Sequence, residues 1–122
     1  MTVSGGLLVA IDLATRRRDA AGQALAQVLR RHEDAVQQLT QLQNYACDTQ
    51  GRWSVSAQTS TSPQIVGHYY QFMDRLEQTV GLQQGVIAEV LRQCHAARQQ
   101  LLDAEVALAG LTRLRDKRRQ EQ

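Results

Sequence analysis

The strongest structural signal in the chain lies in residues 7–49, which read LLVAIDLATRRRDAAGQALAQVLRRHEDAVQQLTQLQNYACDT. Residues recur there at alternating steps of three and four, and all but three of the recurring positions are apolar. The series is Leu7, Ile11, Ala14, Arg18, Ala21, Leu25, Val28, His32, Ala35, Leu39, Leu42, Ala46 and Thr49. A period of 3.5 residues sustained over many turns is typical of a coiled coil, so we expect a long helix whose apolar stripe faces another helix.

A second series follows the only proline, Pro63. It consists of Ile65, Tyr69, Phe72, Leu76, Val80, Gln83, Ile87, Val90, Cys94, Ala97, Leu101, Ala104, Leu108, Leu111 and Arg115. Two consecutive steps of four, from Phe72 to Val80, predict a stutter that locally relaxes the supercoil. Gly81 and Gly85 follow it and either make a flexible point or allow a close approach of the helices. Together the two series predict an all-α fold, an antiparallel two-helix coiled-coil hairpin with a Ser/Thr-rich loop.

Helix one is expected to cover about residues 7–50, because the next residue, Gly51, is of the type that commonly ends helices. Residues 51–62 are dominated by Ser and Thr and are predicted to form the loop. With this turn, residues of the two helices face each other where their numbers total about 114.

Helix two is expected to cover about residues 63–119. Ser62 followed by Pro63 provides an N-cap and a first-turn proline, which is a common way for a helix to begin. Because it is longer than helix one, it should overhang the start of helix one from about Leu108 onward. At 122 residues, the chain 1–122 is expected to be a single domain.

The composition and the charge argue against several functions. Aromatic residues make up 4% of the chain, and the formal net charge is +2, with acidic residues interspersed among the arginines. Such a chain is not expected to bind nucleic acid. The apolar stretch 5–11 is too short for a signal peptide or a membrane span, so we expect a soluble, cytoplasmic protein. Cys47 and Cys94 are predicted to be free thiols, because the hairpin holds them far apart.

No pattern of residues indicates catalysis or cofactor binding. His32, His68 and His95 are scattered along the chain, without carboxylates or cysteines at the spacing of metal ligands. The sequence also lacks a phosphate-binding loop and a nucleophile motif. We therefore expect no enzyme, no metal site and no cofactor.

Two regions are candidates for binding other proteins. All aromatic residues fall between positions 45 and 72, so the hairpin brings them to the loop end, where they serve either as interface anchors or as packing of the tip. Helical spacing places two ridges there, formed by Gln38, Leu42 and Tyr45 and by Phe72, Leu76, Thr79 and Gln83. The other end is basic, and it either complements the helix dipole or docks an acidic partner. Its cations are Arg113, Arg115, Lys117, Arg118 and Arg119, with residues 16–18 nearby.

The order of these features resembles the flagellar FliJ family. The first helix closes with Gln38-Leu39-x-x-Leu42-x-x-Tyr45, and the second opens with Tyr69-x-x-Phe72-x-x-x-Leu76-Glu77 and, after six intervening residues, Gln84. The resemblance implies a soluble component of the flagellar type III export apparatus, which serves flagellum biogenesis, motility and chemotaxis. It implies a rotor-like stalk that binds the ring of the export ATPase FliI and the export gate FlhA, helps couple ATP hydrolysis to export, and escorts export chaperones.

The resemblance also implies residue roles and a location. The export-gate surface would comprise Gln38, Leu42, Tyr45, Phe72, Leu76, Thr79 and Gln83. The ATPase contact would comprise Arg113, Arg115, Lys117, Arg118 and Arg119. The protein would be cytoplasmic and peripheral at the inner membrane, which it would reach through its partners.

Three alternatives remain open at the level of the sequence. The stalk of a virulence-type secretion system shares the hairpin and differs in its partners. A basic coiled-coil module would use the arginines of residues 16–18 and 113–119 on nucleic acid, with steep salt dependence. A structural four-helix bundle of two chains would bury apolar residues beside the stripes. Those residues are Leu29, Val36, Leu82, Val86 and Leu102.

Overall fold

The computed structural model describes residues 3–57 and 62–121, and these residues form two long helices. Helix α1 covers Gly5–Ala57 and helix α2 covers Pro63–Gln120. The two helices pack against each other as a helical hairpin, and the described residues contain no strand. The predicted all-α hairpin is therefore confirmed.

Serine side chains cap the beginning of both helices. The hydroxyl oxygen of Ser4 accepts a hydrogen bond of 3.1 Å from the backbone N–H of Gly6, and that of Ser62 accepts one of 3.2 Å from Ile65. These bonds satisfy amides that have no partner in the first turn of a helix. Pro63 occupies the first helical position, where its missing N–H costs nothing. The predicted start of helix two is therefore confirmed.

Helix α1 does not end at Gly51 but continues to Ala57. A glycine that ends a helix adopts a left-handed conformation, whereas no glycine among the described residues has a positive φ angle. The predicted end of helix one is therefore wrong, because a glycine inside a helix costs only about 1 kcal/mol and does not by itself stop it. Residues 51–57 of the predicted loop are helical, and 58–61 lie outside the described residues.

The packing of the hairpin divides the chain into two compact units. The terminal unit comprises Met1–Arg30 together with Arg92–Gln122, and the middle unit comprises Arg31–Leu91. Each unit contains a part of both helices. The single domain over 1–122 stays a prediction, because compactness of the units does not show whether they fold separately.

Within each unit, facing residues of the two helices have numbers that total about 120. In the terminal unit, a Cβ atom at Gly22 would lie 4.0 Å from Cδ1 of Leu101. In the middle unit, the side chain of Gln83 donates a hydrogen bond to the backbone oxygen of Ala35. The predicted total of about 114 is wrong because α1 is longer than expected at its C-terminal end.

The same difference shortens the predicted overhang of α2. Leu108, Thr112 and Arg115 line a groove together with Ile11 of α1, so they lie beside the first turns of α1 and not beyond them. The overhang from Leu108 onward is therefore wrong. Only the last turn of α2 is left to extend past the beginning of α1.

The apolar series form the seam between the helices, the stripe along which each helix packs on the other. Among the described residues, the buried ones all belong to the predicted series, and they are Leu7, Ala14, Val28, Ala35, Leu76, Val90, Cys94 and Ala97. Both cysteines are free, with Cys47 exposed and Cys94 buried, so the predicted free thiols are confirmed.

The seam of α2 differs from the prediction near the beginning of the helix. Val66 and Met73 are half-buried, whereas Ile65 and Phe72 are exposed. With Val66 and Met73 in the seam, the steps of three and four alternate regularly up to Arg115, so the predicted stutter is wrong. The error arose because the large aromatic ring of Phe72 looked like a core residue, while the seam uses the neighbouring methionine.

The two glycines that follow this region do not mediate a close approach. Gly81 and Gly85 are exposed, and a Cβ atom at either position would have no neighbouring atom within 4 Å. The prediction that these glycines allow the helices to approach closely is therefore wrong. Among the described residues, neither helix contains an apolar segment long enough to cross a membrane.

Candidate functional site

Six of the seven residues predicted to bind the export gate lie along one side of the seam in the middle unit. We call this side the aromatic flank. It consists of Gln38, Tyr45, Phe72 and Thr79, which each precede a seam position, and of the seam residues Leu42 and Gln83. In an antiparallel pair, residues that precede equivalent heptad positions on the two helices line the same side. Because Met73 and not Phe72 occupies the seam, Phe72 precedes a seam position and lies on this flank.

The aromatic flank centres on a pair of rings. The ring centroids of Tyr45 and Phe72 lie 6.0 Å apart, and the rings meet edge to face at 75°. The pair is not covered by the rest of the chain, since Tyr45 is 51% exposed and Phe72 is 37% exposed. Large aromatic side chains that are held in place and still exposed are frequent anchors of protein interfaces.

A polar contact across the seam borders these rings. The side-chain nitrogen of Gln83 donates hydrogen bonds to the backbone oxygen of Ala35 at 2.9 Å and to the side-chain oxygen of Gln38 at 3.2 Å. Because a buried amide without partners is costly, these bonds favour one alignment of the two helices. Gln38, Gln83, Leu42 and Tyr45 line a shallow groove of 320 Å³.

The remaining two predicted gate residues differ in exposure. Thr79 is exposed, and its hydroxyl donates a hydrogen bond of 2.9 Å to the backbone oxygen of Arg75, as threonines in helices often do. Leu76, by contrast, is buried in the seam with 8% of its surface exposed. Leu76 therefore supports the flank from beneath, while the other six residues are exposed or half-buried.

The predicted ATPase-binding residues lie in the terminal unit. Arg113, Lys117, Arg118 and Arg119 are exposed, and the last three occupy the final turn of α2. Cations in this position are favoured by the helix dipole. Arg115 differs from them: it is half-buried at a seam position, and its Nε donates to Oδ1 of Asp116 at 3.2 Å. Arg115 therefore does not project from the end of the helix as the other four do.

Two of the three nearby arginines of α1 are also paired with carboxylates. Nη2 of Arg16 lies 3.0 Å from Oδ2 of Asp12, one turn earlier, and Nη2 of Arg18 lies 2.8 Å from Oδ1 of Asp19. Exposed pairs of this kind stabilise a protein by less than about 1 kcal/mol, but they reduce the local positive charge. Among residues 16–18 and 113–119, the cations that form no ion pair with a described residue are thus Arg17, Arg113, Lys117, Arg118 and Arg119.

The two units carry opposite net charge. The terminal unit contains eleven basic and six acidic residues, for a net charge of +5, and the middle unit contains three basic and six acidic residues, for −3. The small net charge of the whole chain hides this difference. Partners of different charge are therefore expected at the two units.

Two features of the middle unit were not predicted from the sequence. The rings of Trp53 and Tyr69 stack, with their centroids 4.4 Å apart and their planes 7° from parallel. This contact was not predicted because Trp53 was assigned to the loop.

A groove also runs along the side of the seam opposite the aromatic flank, and we call it the Cys47 groove. It is lined by Gln43, Ala46, Cys47, Gln50, Met73, Leu76, Glu77 and Val80. It was missed because Met73 was left out of the apolar series. The regular spacing of Val66, Tyr69 and Met73 is the signal that identifies the correct seam.

The described residues contain no group of three or more His, Cys, Asp or Glu side chains that could hold a metal ion.

A model of the family "Flagellar FliJ protein" matches residues 7–122 of the chain. The matched range contains both helices from Leu7 onward and includes the aromatic flank and the basic end of α2. Searches of curated proteins and of solved structures gave no significant match.

Proposed function

Because the chain belongs to the flagellar FliJ family, we propose that it acts as a stalk that links the export ATPase to the export gate. Family membership makes it a component of the flagellar export apparatus, and the family is one of non-enzymatic proteins. In the proposal, the basic end of α2 binds the ATPase ring, and the aromatic flank binds the gate. The protein thereby helps couple ATP hydrolysis to export, carries export chaperones, and works in the cytoplasm at the inner membrane, where its partners hold it.

The observation that carries the proposal is the exposed positive charge at the end of α2. Lys117, Arg118 and Arg119 form no ion pair with any residue in the described part of the chain, so their charge is available to an acidic surface. Arg113 lies one turn earlier and is also exposed. Charge of this kind accelerates association and fixes orientation more than it adds affinity.

The first test measures ATP hydrolysis by the cognate export ATPase in the presence of the protein. Replacing Lys117, Arg118 and Arg119 by alanine should abolish most of the stimulation. The matched control replaces Arg31, Arg52 and Arg75, the three basic residues of the middle unit, because it removes the same charge elsewhere. Stimulation that survives the first triple variant, or that is lost equally in both, would contradict the proposed ATPase contact.

Binding to the gate is supported by the exposed ring pair of the aromatic flank. Truncation of a central aromatic anchor commonly costs about 2 kcal/mol or more, which is about thirtyfold in affinity. We therefore expect Tyr45→Ala and Phe72→Ala each to weaken binding to the cytoplasmic part of the gate by about that factor. Tyr70→Ala is the control, because Tyr70 is exposed in the same unit and lies outside the aromatic flank. Equal losses in all three variants would contradict a role specific to this flank.

The alternative functions are less well supported by the described residues. A nucleic-acid module would draw on a set of arginines of which three, Arg16, Arg18 and Arg115, already contact an aspartate, in a chain whose net charge is only +2. A four-helix bundle would bury the apolar residues beside the seam, and these are indeed exposed. However, Val36 follows a seam position and Val86 precedes one, so they lie on opposite sides of the seam, and one additional chain would not cover both.

A further inference from the structure

The Cys47 groove lies in the middle unit, on the side of the seam that the proposed gate contact does not use. Its floor consists of Ala46, Met73, Leu76 and Val80, and its rim includes Cys47 and Glu77. The groove has a volume of 390 Å³ and is open to solvent along its side. An open apolar groove between two helices is a common docking place for a third helix, which places one apolar residue per turn in it.

The charges around the groove indicate the chemistry of its occupant. Glu77 forms no ion pair with any described residue, so its carboxylate is available at the rim. The middle unit as a whole has a net charge of −3, with six acidic and three basic residues. An occupant with positive charge beside its apolar face would therefore be attracted, and one with negative charge would be repelled.

We propose that the Cys47 groove binds an amphipathic helical segment of a partner protein, with an apolar stripe on the groove floor and a lysine or arginine beside Glu77. The ATPase contact proposed above is positively charged and requires an acidic partner, whereas the groove requires a basic one. The aromatic flank is neutral and lies on the other side of the seam. The groove is therefore a third interaction surface, whose partner is distinguished by its positive charge.

The groove contains its own probe. Cys47 is the exposed thiol of the chain, and Cys94 is buried, so a thiol reagent should modify Cys47 first. The experiment uses the full chain and a synthetic amphipathic peptide of leucine and lysine, with a leucine and glutamate peptide of the same length and pattern as the control. We expect the lysine peptide to slow alkylation of Cys47 severalfold and the glutamate peptide to leave its rate unchanged.

Two substitutions separate docking in the groove from general attraction to an acidic protein. Cys47→Trp should fill the groove and abolish binding of a fluorescent lysine peptide, whereas Asn44→Trp adds the same ring at an exposed position outside it. Glu77→Gln should weaken binding about two- to fivefold, as expected for one ion pair at a rim, and Asp48→Asn should have no effect.

The proposal is overturned if the lysine peptide binds equally well to the Cys47→Trp variant, or if both peptides protect the thiol to the same extent. It is also overturned if the chain alone protects Cys47 as its concentration rises, since the groove would then hold a second copy. None of these measurements involves the ATPase or the gate, so their outcome is independent of the stalk function.

Discussion

The terminal and middle units have the same heptad pattern but differ in the side chains that lie beside it. The buried residues are small or medium-sized in both units, among them Ala14 and Ala97 in one and Ala35, Leu76 and Val90 in the other, but the terminal unit contains no aromatic residue. The middle unit contains every aromatic residue of the chain, and several of them contact each other beside the seam. One helix-packing pattern thus supports a basic surface in one unit and an aromatic surface in the other.

This difference follows from the limited core of a two-helix hairpin. Two helices bury only one stripe each, so the large rings of Tyr45 and Phe72 remain partly exposed on the flank. The seam itself is filled by residues such as Leu76 and Met73. Stability and the proposed partner binding therefore depend on neighbouring but different positions, and substitutions can separate the two.

The largest effect is expected from a charge placed in the seam of the terminal unit. Ala97 is buried and Ala96, next to it, is exposed. Ala97→Asp should destabilise the protein by at least about 3 kcal/mol, because a carboxylate in the seam loses water without gaining a partner. Ala96→Asp changes the same residue type at the neighbouring position and should cost less than about 1 kcal/mol. Thermal unfolding followed by far-UV circular dichroism measures both.

The comparison of the two alanines also tests the seam of the terminal unit. If the two variants unfold at the same temperature, the burial of Ala97 does not contribute to stability. The small residues of this unit would then not form a packed seam.

A smaller effect is expected in the middle unit, where Leu76 supports the aromatic flank from the seam. Leu76→Ala should lower the free energy of unfolding by about 2–3 kcal/mol, through the loss of buried apolar surface and the cavity that remains. Leu82→Ala is the control, because Leu82 is 73% exposed, and it should change stability by no more than about 0.5 kcal/mol.

Leu76→Ala also shows whether Leu76 acts by packing in the seam or by contacting the gate directly. At a temperature where the variant is folded, its affinity for the gate should stay within a few fold of the unsubstituted chain. A loss as large as that of Phe72→Ala would mean that Leu76 is itself a contact residue, in disagreement with its burial.

The sequence predicted most of the fold and part of the candidate sites, for identifiable physical reasons. The heptad series predicted the seam because burial in a coiled coil follows a strict period, and the capping pair Ser62 and Pro63 marked the start of α2. The exposure of Phe72 was not predictable from size alone, since Met73 at the next position is equally apolar. Periodicity had to decide between them, and only an uninterrupted series does so.

The side-chain contacts of the sites were less predictable than the fold. The heptad series placed Arg115 at a seam position, but the basic composition of the segment hides its pairing with Asp116. The Cys47 groove depends on the register of the two helices, and the register was shifted because the end of α1 was misplaced. An error at one glycine thus changed which residues face each other along the hairpin.

The smallest expected effect concerns that glycine. Because α1 continues through Gly51, Gly51→Ala should stabilise the protein by about 0.5–1 kcal/mol, through the reduced flexibility of the unfolded chain. A Cβ atom at this position meets no atom within 4 Å, so no steric clash reduces the gain in stability.

Gly81→Ala is the matched control. Gly81 is exposed, lies far from both ends of α2, and has equally free space for a Cβ atom. If Gly51→Ala destabilises the protein while Gly81→Ala stabilises it, Gly51 adopts a left-handed conformation and ends the helix. The register of the middle unit, on which the Cys47 groove depends, would then have to be revised.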